Sequence, residues 1–199
     1  MIDAALKLTE DGSSFDALSL RQMAQVAGVA PSAFYRYFQS LDDLGLAIVE
    51  ESFRRLRAIL VDMTDANPTS LTEVISTGIS ALRAVVTLDS AHLGFIARQR
   101  AASHPILRRE IRAQIRLQTS QMATYLARFE PISSWRVRDV EMLANLLMST
   151  VVNGVDSMLE ALSLSLEAEA TERELDNVTT ALERQILYLF IGVPGWRSR

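Results

Sequence analysis

With 199 residues, a formal charge of −4 and no cysteine, the chain excludes disulfide frameworks, thiolate metal centres, cysteine nucleophiles and whole-molecule attraction to polyanions. Apolar residues make up 49% of it, yet no apolar run approaches the roughly 20 positions of a membrane-spanning helix. The start MIDAALKLTEDG lacks the basic and apolar regions of a signal peptide, so a soluble, cytoplasmic protein with no membrane partner is expected.

The chain has only 8 glycines and 5 prolines, and its apolar residues recur at helical spacing, as in Leu107, Ile111, Ile115, Met122 and Leu126. With no sustained strand alternation, the expected class is all-α with about nine helices. The first four are expected at about 2–11, 19–26, 31–37 and 41–64. Ser19 followed by Gln22, and Ser40 followed by Asp43, have the spacing of a helix N-cap with a polar residue three positions on. Gly28 ends one helix and Pro31 opens the next, because a first-turn proline lacks only an N–H that would find no helical partner anyway. This is the spacing of a helix-turn-helix.

In the third helix, Ala30, Phe34 and Phe38 are expected to face the first and fourth helices. Ser32, Ala33, Tyr35, Arg36 and Tyr37 then occupy the outer arc, where hydroxyls and a guanidinium can meet phosphates and base edges of a major groove. The plainer alternative is a small helical core with solvated tyrosines. A boundary is expected near DANPTS (65–70), giving residues 1–47 as the head, with the fourth helix running on to about 64, and 48–199 as the body.

The stretch SLRQMAQVAGVAPSAFYRYFQSLDDLGLAIVEE resembles the DNA-binding signature of the TetR family of bacterial one-component regulators, over residues 2–55. Within that family, APSAFYRYF followed by DDLGL is most similar to the FabR/DesT-like regulators of unsaturated fatty-acid synthesis, and LGFIARQRAASHPILRREI more weakly so. The resemblance implies a homodimeric repressor of a palindromic double-stranded operator, with a helical body that binds a ligand and dimerises. It places DNA contacts on Arg21, Ser32, Ala33, Tyr35, Arg36 and Tyr37, with Ser19 capping the second helix. Two features depart from the family pattern: no basic segment precedes the first helix, and the fourth begins SLDDLG where many members have a lysine. Residues 1–60 hold six basic and eight acidic residues, so an upstream basic arm is expected to belong to the head.

Residues 89–128 contain seven arginines against Asp89 and Glu110, and Arg108, Arg112 and Arg116 form a stripe beside an apolar one. This reads either as a solvated face or as an anionic head-group site at the mouth of an apolar pocket. The second reading, raised by the resemblance, assigns ligand binding to Phe95, Arg98, Arg100, Arg109, Ile111, Arg112, Ile115, Met122, Leu147 and Val151, with acyl-CoA as the leading effector. The segment 140–155 is apolar nearly all round and 174–193 has a broad apolar face. A symmetric interface through Met158, Leu162, Val178, Leu182, Ile186 and Leu189 would cover both. No catalytic, metal or cofactor motif is expected: His92 and His104 lack metal-ligand spacing, and no phosphate loop or nucleophile elbow occurs. His104 before Pro105 marks a helix start. The alternatives are a regulator of the same family sensing a drug-like or aromatic ligand, and a helical lipid-binding protein without DNA function.

Overall fold

The computed structural model describes the chain except residues 11–13, 66–70, 103, 165–166 and 199, and except the side chains of 59–65 and 71. Among the described residues there are nine α-helices and no strand: α1 Ile2–Glu10, α2 Leu20–Val26, α3 Pro31–Phe34, α4 Leu41–Asp65, α5 Leu71–Leu88, α6 Ser90–Ala101, α7 Pro105–Leu126, α8 Val137–Ser163 and α9 Ala168–Ile191. The all-α expectation holds. The boundary expected at 65–70 lies almost wholly outside the described residues, as does the end expected for α1 at 11.

Two compact units form. The first comprises Met1–Arg57 and Asp89–Gln114. Its core is Phe15, Met23, Phe34, Leu44, Ile48, Phe95, Leu107 and Ile111, contributed by the head helices and by α6 and α7 alike. Phe15 meets Phe95 edge-on at 5.3 Å, an arrangement that aromatic rings favour. α4 passes close to this cluster at Gly45, where an added Cβ would lie 2.9 Å from Leu107 and from Phe15. Leu107 and Phe15 are fully buried and cannot move aside cheaply, so the close approach needs a residue without a side chain.

The second unit comprises Ala58–Leu88 and Ile115–Arg199. In it α8 packs along α9, and α5 lies against both. Val86, Leu143, Leu147, Met158, Leu175, Leu182 and Ile186 fill the interior. Gly154 of α8 faces Leu182 of α9 so closely that a Cβ there would stand 2.7 Å from the leucine. Arg83 of α5 holds Glu172 and Asp176 of α9 at 2.5 Å each, fixing α5 along α9.

Candidate nucleic-acid interface

The helix-turn-helix is assembled from local rules. The Ser19 hydroxyl accepts from the Gln22 N–H at 3.3 Å while the Ser19 N–H donates to the Gln22 side-chain carbonyl at 2.9 Å, a reciprocal cap that starts α2. After α2 the chain reverses at Gly28, whose φ of 67° lies in the left-handed region that side chains other than glycine's strain to adopt. Pro31 then opens α3.

α3 is shorter than its expected span of 31–37: it closes at Phe34 and continues as a turn through Tyr37. The reason is visible in the backbone, where the Arg36 N–H donates to the Ala33 carbonyl at 3.3 Å and the Tyr37 N–H to the Phe34 carbonyl at 2.9 Å. These three-residue steps tighten the last turn. Phe34 is the buried anchor, with Tyr35 edge-on to its ring at 5.7 Å and Phe38 at 5.6 Å. Two expectations about this segment change. Ala30 is exposed because it is the N-cap, outside the helix, and Ala33 is half-buried where an outward position was expected.

The other expected DNA contacts face solvent. Tyr35 is 62% and Tyr37 71% exposed, and Ser19, Arg21, Ser32 and Arg36 are exposed as well. Arg36 stacks over the Tyr37 ring at 5.9 Å, which orients the guanidinium without consuming its donors. Neither Arg21 nor Arg36 has a carboxylate partner among the described residues. The turn therefore presents a compact set of unused donors: two phenols, a serine hydroxyl and two guanidiniums.

Several of the head's acids are, by contrast, engaged. Glu51 accepts from Arg54 at 2.6 Å and Arg55 at 2.9 Å, and hydrogen bonding from Arg54 above all lowers its pKa to about 2. Arg55 also reaches Asp89 at 2.5 Å. Asp43 accepts from the Gln39 N–H at 3.0 Å, and its own N–H donates to the Ser40 hydroxyl at 3.1 Å, which closes the expected cap of α4.

Asp42 belongs to a second device that the sequence did not disclose. His104 is the residue before α7, and its Nδ1 accepts from the Leu107 N–H at 3.3 Å, so an imidazole caps the helix in the manner of a serine or aspartate. An accepting Nδ1 leaves the ring proton on Nε2, which points at Asp42 at 3.1 Å, with Asp16 at 3.6 Å. One side chain thus joins the start of α7 to the start of α4.

A buried polar pair lies further along α4. The Ser52 hydroxyl donates to the Ile48 carbonyl at 2.7 Å, which leaves its oxygen to accept from Nδ1–H of His92 at 3.0 Å. Desolvation above all, then the nearby Arg55, keeps the His92 pKa below its ordinary value. A lone histidine in a list of residues gives no sign of this serine.

The residues expected to bind ligand fall in both units. In the first, Phe95 and Ile111 are fully buried, Arg100 is half-buried, and Arg98, Arg109 and Arg112 are exposed. In the second, Leu147 is buried, and Ile115, Met122 and Val151 are half-buried. Of the expected interface residues, Met158, Leu182 and Ile186 are covered inside their own unit, and Leu162, Val178 and Leu189 are half-buried. Leu182 lies against Gly154 of α8, where α8 and α9 pack. Their outward faces carry Met142, Leu146 and Tyr188, together with a shallow depression lined by Thr150, Arg184, Gln185, Tyr188 and Leu189.

Residues 1–48 match the family described as bacterial regulatory proteins, tetR family. The head is thus similar to that of the tetR-family regulatory proteins. A TetR transcriptional regulator from Legionella pneumophila is similar in structure, with a TM-score of 0.62 and 18% identity over 92% of this chain and 95% of that one. A TetR-family transcriptional regulator from Agrobacterium tumefaciens gives 0.63 and 17% over 93% and 96%. At such identities the likeness carries the TetR fold, which here extends over nearly the whole chain.

Proposed function

We propose that the protein is a transcriptional repressor that binds a palindromic operator in the cytoplasm as a homodimer and answers to a hydrophobic effector. The observation that carries this reading is the turn after Phe34, where Tyr35, Arg36 and Tyr37 stand exposed and unpaired beside the exposed Ser32 and Arg21. Arg36, Ser32 and Ala33 read base edges, and the two tyrosines clamp phosphates. Functionally the chain divides into a DNA-reading part, residues 1–47, and an effector-binding and dimerising part, residues 48–199.

The dimer forms through the outward faces of α8 and α9, where Met142 and Leu146 follow each other by one helical turn and Tyr188 is exposed. A two-fold axis there pairs each apolar face with its own copy. A long-chain acyl-CoA is the effector that the likeness to regulators of unsaturated fatty-acid synthesis favours. The protein would then control genes of that metabolism. Exposed Arg109 and Arg112 suit its phosphates, and buried Phe95 and Ile111 of the same unit suit an apolar chain. Selection of binding sites from random duplex DNA tests the reading. The full chain should enrich an inverted repeat whose half-sites lie about one helical turn or a multiple of it apart. Enrichment of no sequence, or of a single unrepeated site, refutes it.

A further inference from the structure

Gln118 of α7 is only 5% exposed, and neither its amide nitrogen nor its amide oxygen has a hydrogen-bond partner among the described residues. A buried carboxamide with both ends unpaired is costly, and native proteins rarely keep one without a use. Its surroundings on the helix are specific. Ile115 and Met122, three residues before and four after, share its face and are half-buried. The neighbouring Thr119 hydroxyl already donates to the Ile115 carbonyl at 2.8 Å. Arg116 and Leu117 are exposed, away from this face. Among the described residues of this stretch of α7 the amide is therefore uncommitted, whereas Gln114, one turn earlier, already accepts from Arg57 at 3.2 Å.

We infer that Gln118 is the specificity-determining contact for the effector, and that it recognises an uncharged acyl group whose carbonyl accepts from Nε2 and whose N–H donates to Oε1. The inference rests on the reading that the body takes an effector, and it narrows the chemistry. The group recognised at Gln118 is an amide, because only a function with both an acceptor and a donor satisfies both ends of the buried carboxamide. A ligand offering only an acceptor leaves Oε1 unpaired, and sites built on buried hydrogen bonds discriminate strongly against such analogues.

The test uses the full-length protein and its Gln118→Met variant, which keeps the length of the side chain and removes its polarity. The probes are decanamide, which offers donor and acceptor, and methyl decanoate, which offers an acceptor alone. Wild type should bind decanamide about tenfold or more tightly than methyl decanoate in calorimetry. In Gln118→Met the two should bind alike, and the ligand-free variant should melt above wild type. Melting below wild type would show the amide satisfied without ligand, as by a trapped water, and overturns the inference. So does a wild type that fails to prefer decanamide, including one that binds neither probe. Selected operator DNA titrated in parallel separates the two levels: DNA binding without amide preference removes this inference alone, whereas loss of specific DNA binding removes the regulator reading.

Discussion

Leu182 and Leu146 lie on neighbouring helices, and placing a carboxylate at each should have opposite consequences. Leu182 is 2% exposed and lies against Gly154 of α8, whereas Leu146 is 47% exposed on the outward face of α8. Leu182→Glu removes roughly 1.5–3 kcal/mol of apolar burial. It also leaves an unpaired carboxylate inside the unit, at a cost of several kcal/mol more. The sum is about 5 kcal/mol or greater, against a total stability of roughly 5–15 kcal/mol for a typical protein. At about 2–4 °C per kcal/mol for a chain of this size, melting should fall by at least about 10 °C, or folding should fail. Leu146→Glu should change the isolated protomer by no more than about 0.5 kcal/mol, as exposed substitutions generally do. At a two-fold interface, however, it sets two carboxylates against apolar surface, and dissociation returns both to water. Light scattering coupled to gel filtration should therefore show a folded monomer for Leu146→Glu. Leu182→Glu should instead be destabilised or aggregated, and circular dichroism distinguishes the two. A Leu182→Glu protein that melts like wild type, or a Leu146→Glu protein that remains as firmly dimeric as wild type, would refute the assignment of inward and outward faces.

Arg36→Ala should cost about 1–3 kcal/mol in operator binding and relax discrimination at one position per half-site. Tyr35→Phe should weaken all duplexes evenly, as anisotropy titrations at fixed salt will show, and wild-type binding by both variants refutes the interface. His104→Ala should destabilise the first unit by about 0.5–2 kcal/mol through loss of the α7 cap, and His104→Asn, which restores an acceptor but not the bond to Asp42, should melt between Ala and wild type. Equal melting of all three would mean that the cap carries no weight. Burial holds His92 neutral in the folded protein, helped by Arg55 and opposed by Asp89, Glu51 and Asp3. As pH falls through the ordinary histidine value of about 6.5, the unfolded chain gains a proton that the folded chain refuses, so stability drops. Thermal melts between about pH 7.5 and 5.5 should show a smaller drop for His92→Asn than for wild type. An equal drop assigns the acid sensitivity elsewhere.

Helix order was legible because apolar residues at helical spacing, Ser19, Gly28 and Pro31 each have a local physical effect that needs no partner. The length of α3 was not, since residues 35–37 pattern like a helix and are drawn into a tight turn by the burial of Phe34. The faces of α8 and α9 were not legible either. Both helices are broadly apolar, and the pattern cannot tell the side that meets a neighbouring helix from the side left outward. Gln118 gave no signal because a glutamine at helical spacing reads as the polar margin of an apolar stripe. Only the structure shows its amide enclosed.

Net charge does not tell where each charge sits, and the distribution bears on function. Six basic and eight acidic residues in the first sixty suggest a head that repels DNA and needs a basic arm to overcome it. That sum treats every charge as free. Glu51 is paired with Arg54 and Arg55, whereas Asp42 and Asp43 accept from the His104 ring and a backbone N–H and keep their charge. A paired carboxylate projects little field into solvent, and what remains of it falls off within the roughly 8–10 Å screening distance of physiological salt. Arg21 and Arg36 have no carboxylate partner among the described residues and lie on the helix-turn-helix itself. On the reading proposed above, affinity for DNA depends on where these few cations lie, each phosphate contact adding its share of counterion release to directed base contacts.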